Sequence, residues 1–242
     1  MSIEIIISVL FVILLSSVFR AIFGFGDALI AMPLLVLLIP VTTATPLIAI
    51  ISLIIAVSII YKDWKLINLG KVKYLIIYTI LGIPLGLLYL DKANESMVKI
   101  VLGIMLILFS LFQLFSKGVF KLKTEKLSWL FGFISGVLGG AYNTNGPPII
   151  IYGSLRDWEP KEFRAILQSV FIPTNMFIVA GHGIAGFWSS EVFELLLYCS
   201  PIILFSVLIG NKIHSKIPQK NFDSIVYLSL IAISVFLIVN SI

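Results

Sequence analysis

A chain of 242 residues that is 60% hydrophobic and only 12% charged, with a mean hydropathy of +1.12, holds more apolar mass than one water-soluble core of this size can hide, since soluble domains carry about 25% charged residues. The net charge of +5 is spread over loops between apolar runs rather than gathered on one basic face, so nucleic acid is not an expected partner. One cysteine, Cys199, excludes an intramolecular disulfide framework and a cysteine-cluster metal site. The two histidines, His182 and His214, lack ligand spacing, and no metal or cofactor is expected.

In chain order the apolar segments are 3–39, 46–61, 74–90, 97–116, 127–155, 165–181, 191–210 and 222–241. Six have the length of one membrane-crossing helix, which takes about 20 residues. The first lacks a basic leader region and an A-x-A cleavage site, so it reads as mature structure. Segments 3–39 and 127–155 are too long for one crossing and are interrupted near their middles. The interruptions are Gly24-Phe25-Gly26-Asp27 and Gly139-Gly140-Ala141-Tyr142-Asn143-Thr144-Asn145-Gly146-Pro147-Pro148. Glycine and proline stop helices, so each long segment is expected to form a broken-helix hairpin or re-entrant pair.

The distribution of basic residues orients these segments, because cytoplasmic loops are enriched in Lys and Arg. If all eight segments crossed once, the basic residues would divide evenly between the two sides. If both long segments return to the side they start from, loops 62–73, 117–126, 156–164 and 211–220 share the cytoplasmic side with fourteen of the seventeen Lys and Arg residues. Lys92 and Lys99 then lie outside, and Arg20 lies at or near a hairpin tip. Trp64, Trp129, Trp158 and Trp188 sit near expected span ends, where amphipathic rings favour the interface.

The expected fold is therefore an all-α integral membrane protein forming a single transmembrane domain over 1–242. It consists of two inverted repeats, 1–117 and 126–242, each a hairpin plus three transmembrane helices. Residue matches accompany the duplication: at an offset of 115, Gly24 falls on Gly139 and Pro33 on Pro148. At an offset of 124, Gly82 and Gly86 fall on Ser206 and Gly210, a spacing of small residues that lets helices pack closely.

The breaks are the candidate functional site. Irregular chain at membrane depth must be buried in protein or line a watery cavity, and paired broken segments point to a transporter's substrate site. Helix starts after Gly26 and after Pro147 would present free N–H groups to an anion. Tyr142, Asn143, Thr144 and Asn145 add neutral donors, with helix capping as the alternative role of the two asparagines. Gly24, Gly26, Gly139, Gly140 and Gly146 shape the breaks and expose N–H groups. Arg20 either attracts the anion or anchors the chain at the surface. Asp27 either carries a coupling proton or caps the restarted helix and pairs with Arg20. Gln168 and Asn175, seven apart with Thr174 beside the latter, share one helix face and either line the path or hold helices together. Cys199 reads as a small buried hydrophobe and His182 as a solvated residue of the outer loop.

At Gly24-Phe25-Gly26-x-Ala28-Leu29-Ile30-Ala31-Met32-Pro33-Leu34-Leu35, and at Gly139-Gly140 through Gly146-Pro147-Pro148, the chain resembles the sulfite exporter TauE/SafE family of membrane transporters. The likeness extends over the whole chain in length and span order. It implies transport of sulfite, thiosulfate, sulfonates or related organic anions, inward or outward by member. Members handling thiosulfate rely on cysteines in the path, whereas this chain has Cys199 alone, and Asp27 stands where small residues are common.

The function expected is a secondary transporter of a small sulfur-containing anion, multi-pass in the cytoplasmic membrane. Its driving energy would come from an ion gradient, of H+ or Na+, or from a separate subunit, because no GxxxxGK[ST] nucleotide loop is present. A homodimer is compatible with this reading. The alternatives are a passive anion channel, an accessory membrane subunit, and an intramembrane enzyme. The last would need a nucleophile–base pair or metal ligands at membrane depth, so the chain is not expected to be an enzyme.

Overall fold

The computed structural model describes residues 1–63, 69–115, 121–122, 124–158, 160–213 and 222–241. Trp64 and His214, with Lys65, Lys117, Lys123, Lys216 and Lys220 of the charge distribution, lie outside the described residues. The described residues form α1 (Ile3–Phe23), α2 (Asp27–Leu35), α3 (Val41–Asp63), α4 (Leu69–Lys92), α5 (Glu95–Phe115), α6 (Ser128–Tyr142), α7 (Gly146–Leu155), α8 (Pro160–Ile184), α9 (Ser190–Ile213) and α10 (Phe222–Val239). No strand occurs among them.

Helices α1, α3, α4, α5, α8 and α9 are long and apolar enough to cross a membrane. Large apolar side chains such as Phe11, Leu81, Leu108, Leu204 and Leu208 face outward, while Ser17, Arg20, Asp27, Thr45, Ser52, Gln168 and Asn175 are buried. Lipid explains this inversion of the soluble pattern, since it solvates leucine and leaves polar groups to find partners inside the protein. The chain is a multi-pass membrane protein.

The second long segment doubles back. The Leu122 N–H donates to the Leu155 carbonyl at 2.7 Å, Arg156 Nη1 donates to the Leu122 carbonyl at 3.0 Å, and Lys121 pairs with Asp157. The chain therefore enters α6 and leaves α7 at the same end, with the Phe131 and Tyr152 rings in tilted contact, centroids 5.5 Å apart, between the two arms. In the first segment Phe19 and Ile30 line one small cavity, whereas a straight helix would hold them about 16 Å apart. Here too α2 turns back beside α1. Thr43 at the start of α3 donates to Glu191 at the start of α9 at 3.1 Å, which puts the exit of the first hairpin across the length of α8 from the Leu122–Arg156 junction.

The contacts of the two halves are exchanged. Helix α4 packs on α6 and α8, while α9 packs on α1 and α3; α3 meets α8, and α5 meets α10. At the α4–α6 crossing a Cβ on Gly86 would lie 2.8 Å from Ala141 N and 3.0 Å from Gly140 Cα, so only glycine admits this approach. Gly210 stands against Ala21 in the same way, its Cβ reaching 3.1 Å from Ala21 Cα.

Gly24 and Asn143 are the left-handed caps that end α1 and α6, at φ 85° and 54°. Their N–H groups bond the carbonyls of Arg20 at 2.6 Å and Gly139 at 2.8 Å. Gly24 and Asn143 thus hold the same place relative to the helix that each one ends. Asparagine is one of the few residues besides glycine that tolerate the left-handed region.

Candidate functional site

The first break is set by two glycines. Gly24 ends α1, and Gly26 follows at φ 95° with the Phe19 ring so close that a Cβ would fall 2.6 Å from its Cε1. Helix α2 therefore restarts at Asp27, and the turn brings Asp27 back onto Arg20 of the preceding helix. Arg20 Nη1 donates to Asp27 Oδ1 at 2.6 Å, with the two side chains 4% and 3% exposed. Burial removes the surface-anchor reading of Arg20. The pairing with Asp27 is as expected, but the capping is not: Gly26 occupies the N-cap. The other Asp27 oxygen, Oδ2, accepts from the Ser52 hydroxyl of α3.

Only one corner of the Arg20 guanidinium is thereby used. Its carbon lies 5.4 Å from the Phe171 ring centre on α8, and Nε and Nη2 have no hydrogen-bond partner among the described residues. Those two nitrogens form the side-on fork that grips two oxygens of an oxyanion at once.

The second break is amide-rich. Asn143 Nδ2 donates to Ser52 Oγ at 2.9 Å, while Asn143 Oδ1 has no partner among the described residues. Ser52 thus touches both breaks. Asn145 stands at the N-cap of α7 without capping it. Instead its Nδ2 donates to Asn175 Oδ1 at 2.9 Å and to Thr174 Oγ1 at 3.2 Å, and its carbonyl accepts from the Ser135 hydroxyl at 2.7 Å. Pro147 and Pro148 fill the first turn of α7, where a missing N–H costs nothing.

Helix α8 runs beside both breaks. Gln168 Nε2 donates to the Gly24 carbonyl at 2.6 Å, Asn175 meets Asn145, and His182 Nε2 lies 3.1 Å from the Gly140 carbonyl. These three residues recur every seven positions and so share one helix face. His182 corrects the expectation of a solvated loop residue: α8 continues to Ile184 and His182 is fully buried. The cause is the break, where the Gly140 carbonyl needs a partner that the interrupted helix does not supply.

Of the expected site residues, the structure gathers Arg20, Asp27 and Asn143 around Ser52, with Asn145 and Asn175 paired alongside. Gln168 holds the end of α1. Gly26 seats Phe19; Gly139 and Gly140 pack against Ile178 and α4. The Tyr142 ring meets Tyr89 edge-on with centroids 6.2 Å apart, and the Thr144 hydroxyl donates back to the Leu138 carbonyl of α6. Gly146 meets only ordinary contacts, the nearest at 3.6 Å. Sequence reasoning missed Ser52, Phe171 and His182. His182 was legible as the next member of the seven-residue series on α8; Ser52, one serine in an apolar span, carried no such signal.

The cluster closes on itself: Arg20, Asp27, Asn143, Thr144, Asn145, Gln168 and Asn175 are all buried. Its fixed charges cancel, its spare donors are the Arg20 fork, and its other polar groups are neutral amides and hydroxyls. Such a site suits reversible binding of one small oxyanion. Among the described residues, no three His, Cys, Asp or Glu side chains gather as metal ligands would.

No curated protein and no solved structure matches the chain. A family model described as sulfite exporter TauE/SafE matches residues 9–237, nearly the whole length. With buried polar breaks inside an apolar bundle and a match of that extent, the chain belongs to the sulfite exporter TauE/SafE family of membrane transporters.

Proposed function

We propose that the protein is a secondary transporter carrying one small sulfur-containing oxyanion, such as sulfite, thiosulfate or a sulfonate, across the cytoplasmic membrane. The anion sits between the two breaks, held by the side-on fork of Arg20 and by Asn143. The observation that carries this reading is the Arg20 guanidinium, 4% exposed and paired through one nitrogen only. Buried donors left unpaired are costly, and an oxyanion satisfies both at once. The exchanged helix pairings of the two halves support an inverted-repeat architecture, in which one half rocks against the other to open the site to each side in turn. Residues 1–117 and 126–242 are the two halves.

The test is thermal unfolding of the purified protein with sulfite, thiosulfate, sulfate, methanesulfonate and small carboxylates. At about a hundredfold excess over Kd, a ligand that binds only the folded state adds about 2.7 kcal/mol of stability. A sulfur oxyanion is expected to stabilise the wild type more than a carboxylate does. Asn143→Ala together with Asn145→Ala is expected to weaken that anion about tenfold or more, the loss of a hydrogen bond to a charged group, with normal expression. Unchanged affinity in the double variant would remove the asparagines from the site, and no stabilisation by any of the anions would remove the site itself.

A further inference from the structure

Ser52 has a place in the fold that transport of an anion alone does not explain. It stands on α3 between the two breaks, donating to Asp27 Oδ2 in one and accepting from Asn143 Nδ2 in the other. A serine hydroxyl has one hydrogen, so it can donate in one direction only. What it does on the Asn143 side is therefore fixed by the state of Asp27.

We infer that Ser52 couples anion movement to a proton: protonation of Asp27 is relayed through the Ser52 hydroxyl to Asn143, so that the anion and one proton cross together. This rests on the transport reading above. In the empty site Asp27 is ionised and holds Nη1 of Arg20. When the site opens, Asp27 Oδ2 takes one proton from water and becomes an O–H donor. Ser52 Oγ then accepts from Asp27 and must turn its own hydrogen away. The acceptor on its far side is Asn143 Oδ1, which has no partner among the described residues. The Asn143 amide rotates to offer that oxygen, and its NH2 group turns toward the space facing the anion. At the same time Asp27 ceases to compete for the guanidinium.

Charge decides that the two ions travel together. The empty site holds Arg20 positive and Asp27 negative. The loaded site holds Arg20 positive, a monoanion such as methanesulfonate or hydrogen sulfite negative and Asp27 neutral, and a dianion such as thiosulfate needs a second proton for the same balance. Both states are neutral and can rock through the membrane, whereas an anion without the proton would leave a net negative charge at membrane depth, which is costly. A metal cation is a poor substitute for the proton, because it would sit beside the guanidinium only 2.6 Å from the same carboxylate. The groups that face Asp27 are few. Helix α1 presents Arg20, α3 presents Ser52 and the second break presents Asn143, while the Tyr227 hydroxyl of α10 accepts from Gln113 of α5 at 3.0 Å. The charges of α5 at Glu95 and Lys99 pair with each other at 2.8 Å in its first turn.

The experiment measures protons moved per anion in proteoliposomes, using a trapped pH dye and labelled sulfite, thiosulfate and methanesulfonate. The ratio does not depend on how much of a preparation is active. Methanesulfonate is the anion of a strong acid and does not titrate near neutral pH, so its ratio carries no proton from the probe itself. Wild type is expected to acidify the anion-receiving side with at least one probe. Asp27→Asn is expected to lose that proton flux and to bind anion independently of pH. Ser52→Ala is expected to lower the ratio at least threefold, and Ser52→Thr, which keeps the hydroxyl, to restore it. Anion flux without protons in wild type, or a wild-type ratio in Ser52→Ala, would overturn the relay while leaving the transport reading intact. Absence of saturable flux for all three probes would overturn the transport reading instead.

Discussion

Arg20→Ala is expected to cost about 3–5 kcal/mol of folding stability, because it leaves the Asp27 carboxylate buried without its partner. Asp27 is 2% exposed, and its remaining bond is from one serine hydroxyl. The double variant Arg20→Gln with Asp27→Asn removes both charges and keeps amides of similar reach, and is expected to recover most of that loss. Recovery of the fold should not bring recovery of binding, because the fork is gone. Thermal unfolding in detergent, with and without the stabilising oxyanion, separates the two effects. A double variant that still responds to the anion would move the site away from Arg20. An Arg20→Ala protein as stable as wild type would show that the ion pair is not buried as described.

Gly86→Leu is expected to disrupt the fold by about 3 kcal/mol or more, well outside the range of an ordinary substitution. Its Cβ would lie against the Val137 carbonyl and 2.8 Å from Ala141 N, and both obstacles are backbone of α6. Backbone cannot turn aside as a side chain can, so α4 and α6 would have to separate, displacing the second break from Ser52. Gly210→Leu is expected to act in the same way at α9 and α1, where Ala21 is the obstacle. Gly146→Ala provides the contrast, since its Cβ would make only ordinary contacts at 3.6 and 3.8 Å. Its effect on the unfolding temperature is expected to be small. Equal effects at Gly86 and Gly146 would mean that the close crossing does not hold the bundle together.

What the sequence revealed follows from how strongly each feature is determined locally. The membrane class was legible in composition, and the breaks were legible because Gly24, Gly26, Pro147 and Pro148 punctuate otherwise continuous apolar runs. The return of 127–155 to its own end followed from the position of basic residues such as Lys121 and Arg156, which the structure finds at that junction. Residue identity was a poorer guide to the internal register. Gly24 and Asn143 end their helices with the same left-handed cap though one is glycine and the other asparagine, a likeness that matching identical residues does not find. The side-chain network was the least legible part. Nothing local indicates that Ser52 meets Asp27 and Asn143, residues 25 before and 91 after it. Asp27 illustrates the same limit: its position suggested a helix cap, but the turn at Gly24–Gly26 aims its carboxylate at Arg20 instead. The end of α8 was misjudged at Gly181 because the acceptor that draws His182 inward, the Gly140 carbonyl, lies 42 residues away in sequence.

The proposed anion site requires two broken segments that each turn back to their own side, one from each face of the membrane, so that their breaks meet around Arg20. Single cysteines at Thr42, Lys126 and Asp157, which are all exposed, test this most directly when introduced with Cys199→Ser and probed with a membrane-impermeant maleimide in oriented cells and in inverted vesicles. The expected result is labelling of Lys126→Cys and Asp157→Cys from the cytoplasmic side only, and of Thr42→Cys from the outer side only. Thr42→Cys labelled from the cytoplasm, or Lys126→Cys and Asp157→Cys labelled from different sides, would contradict it.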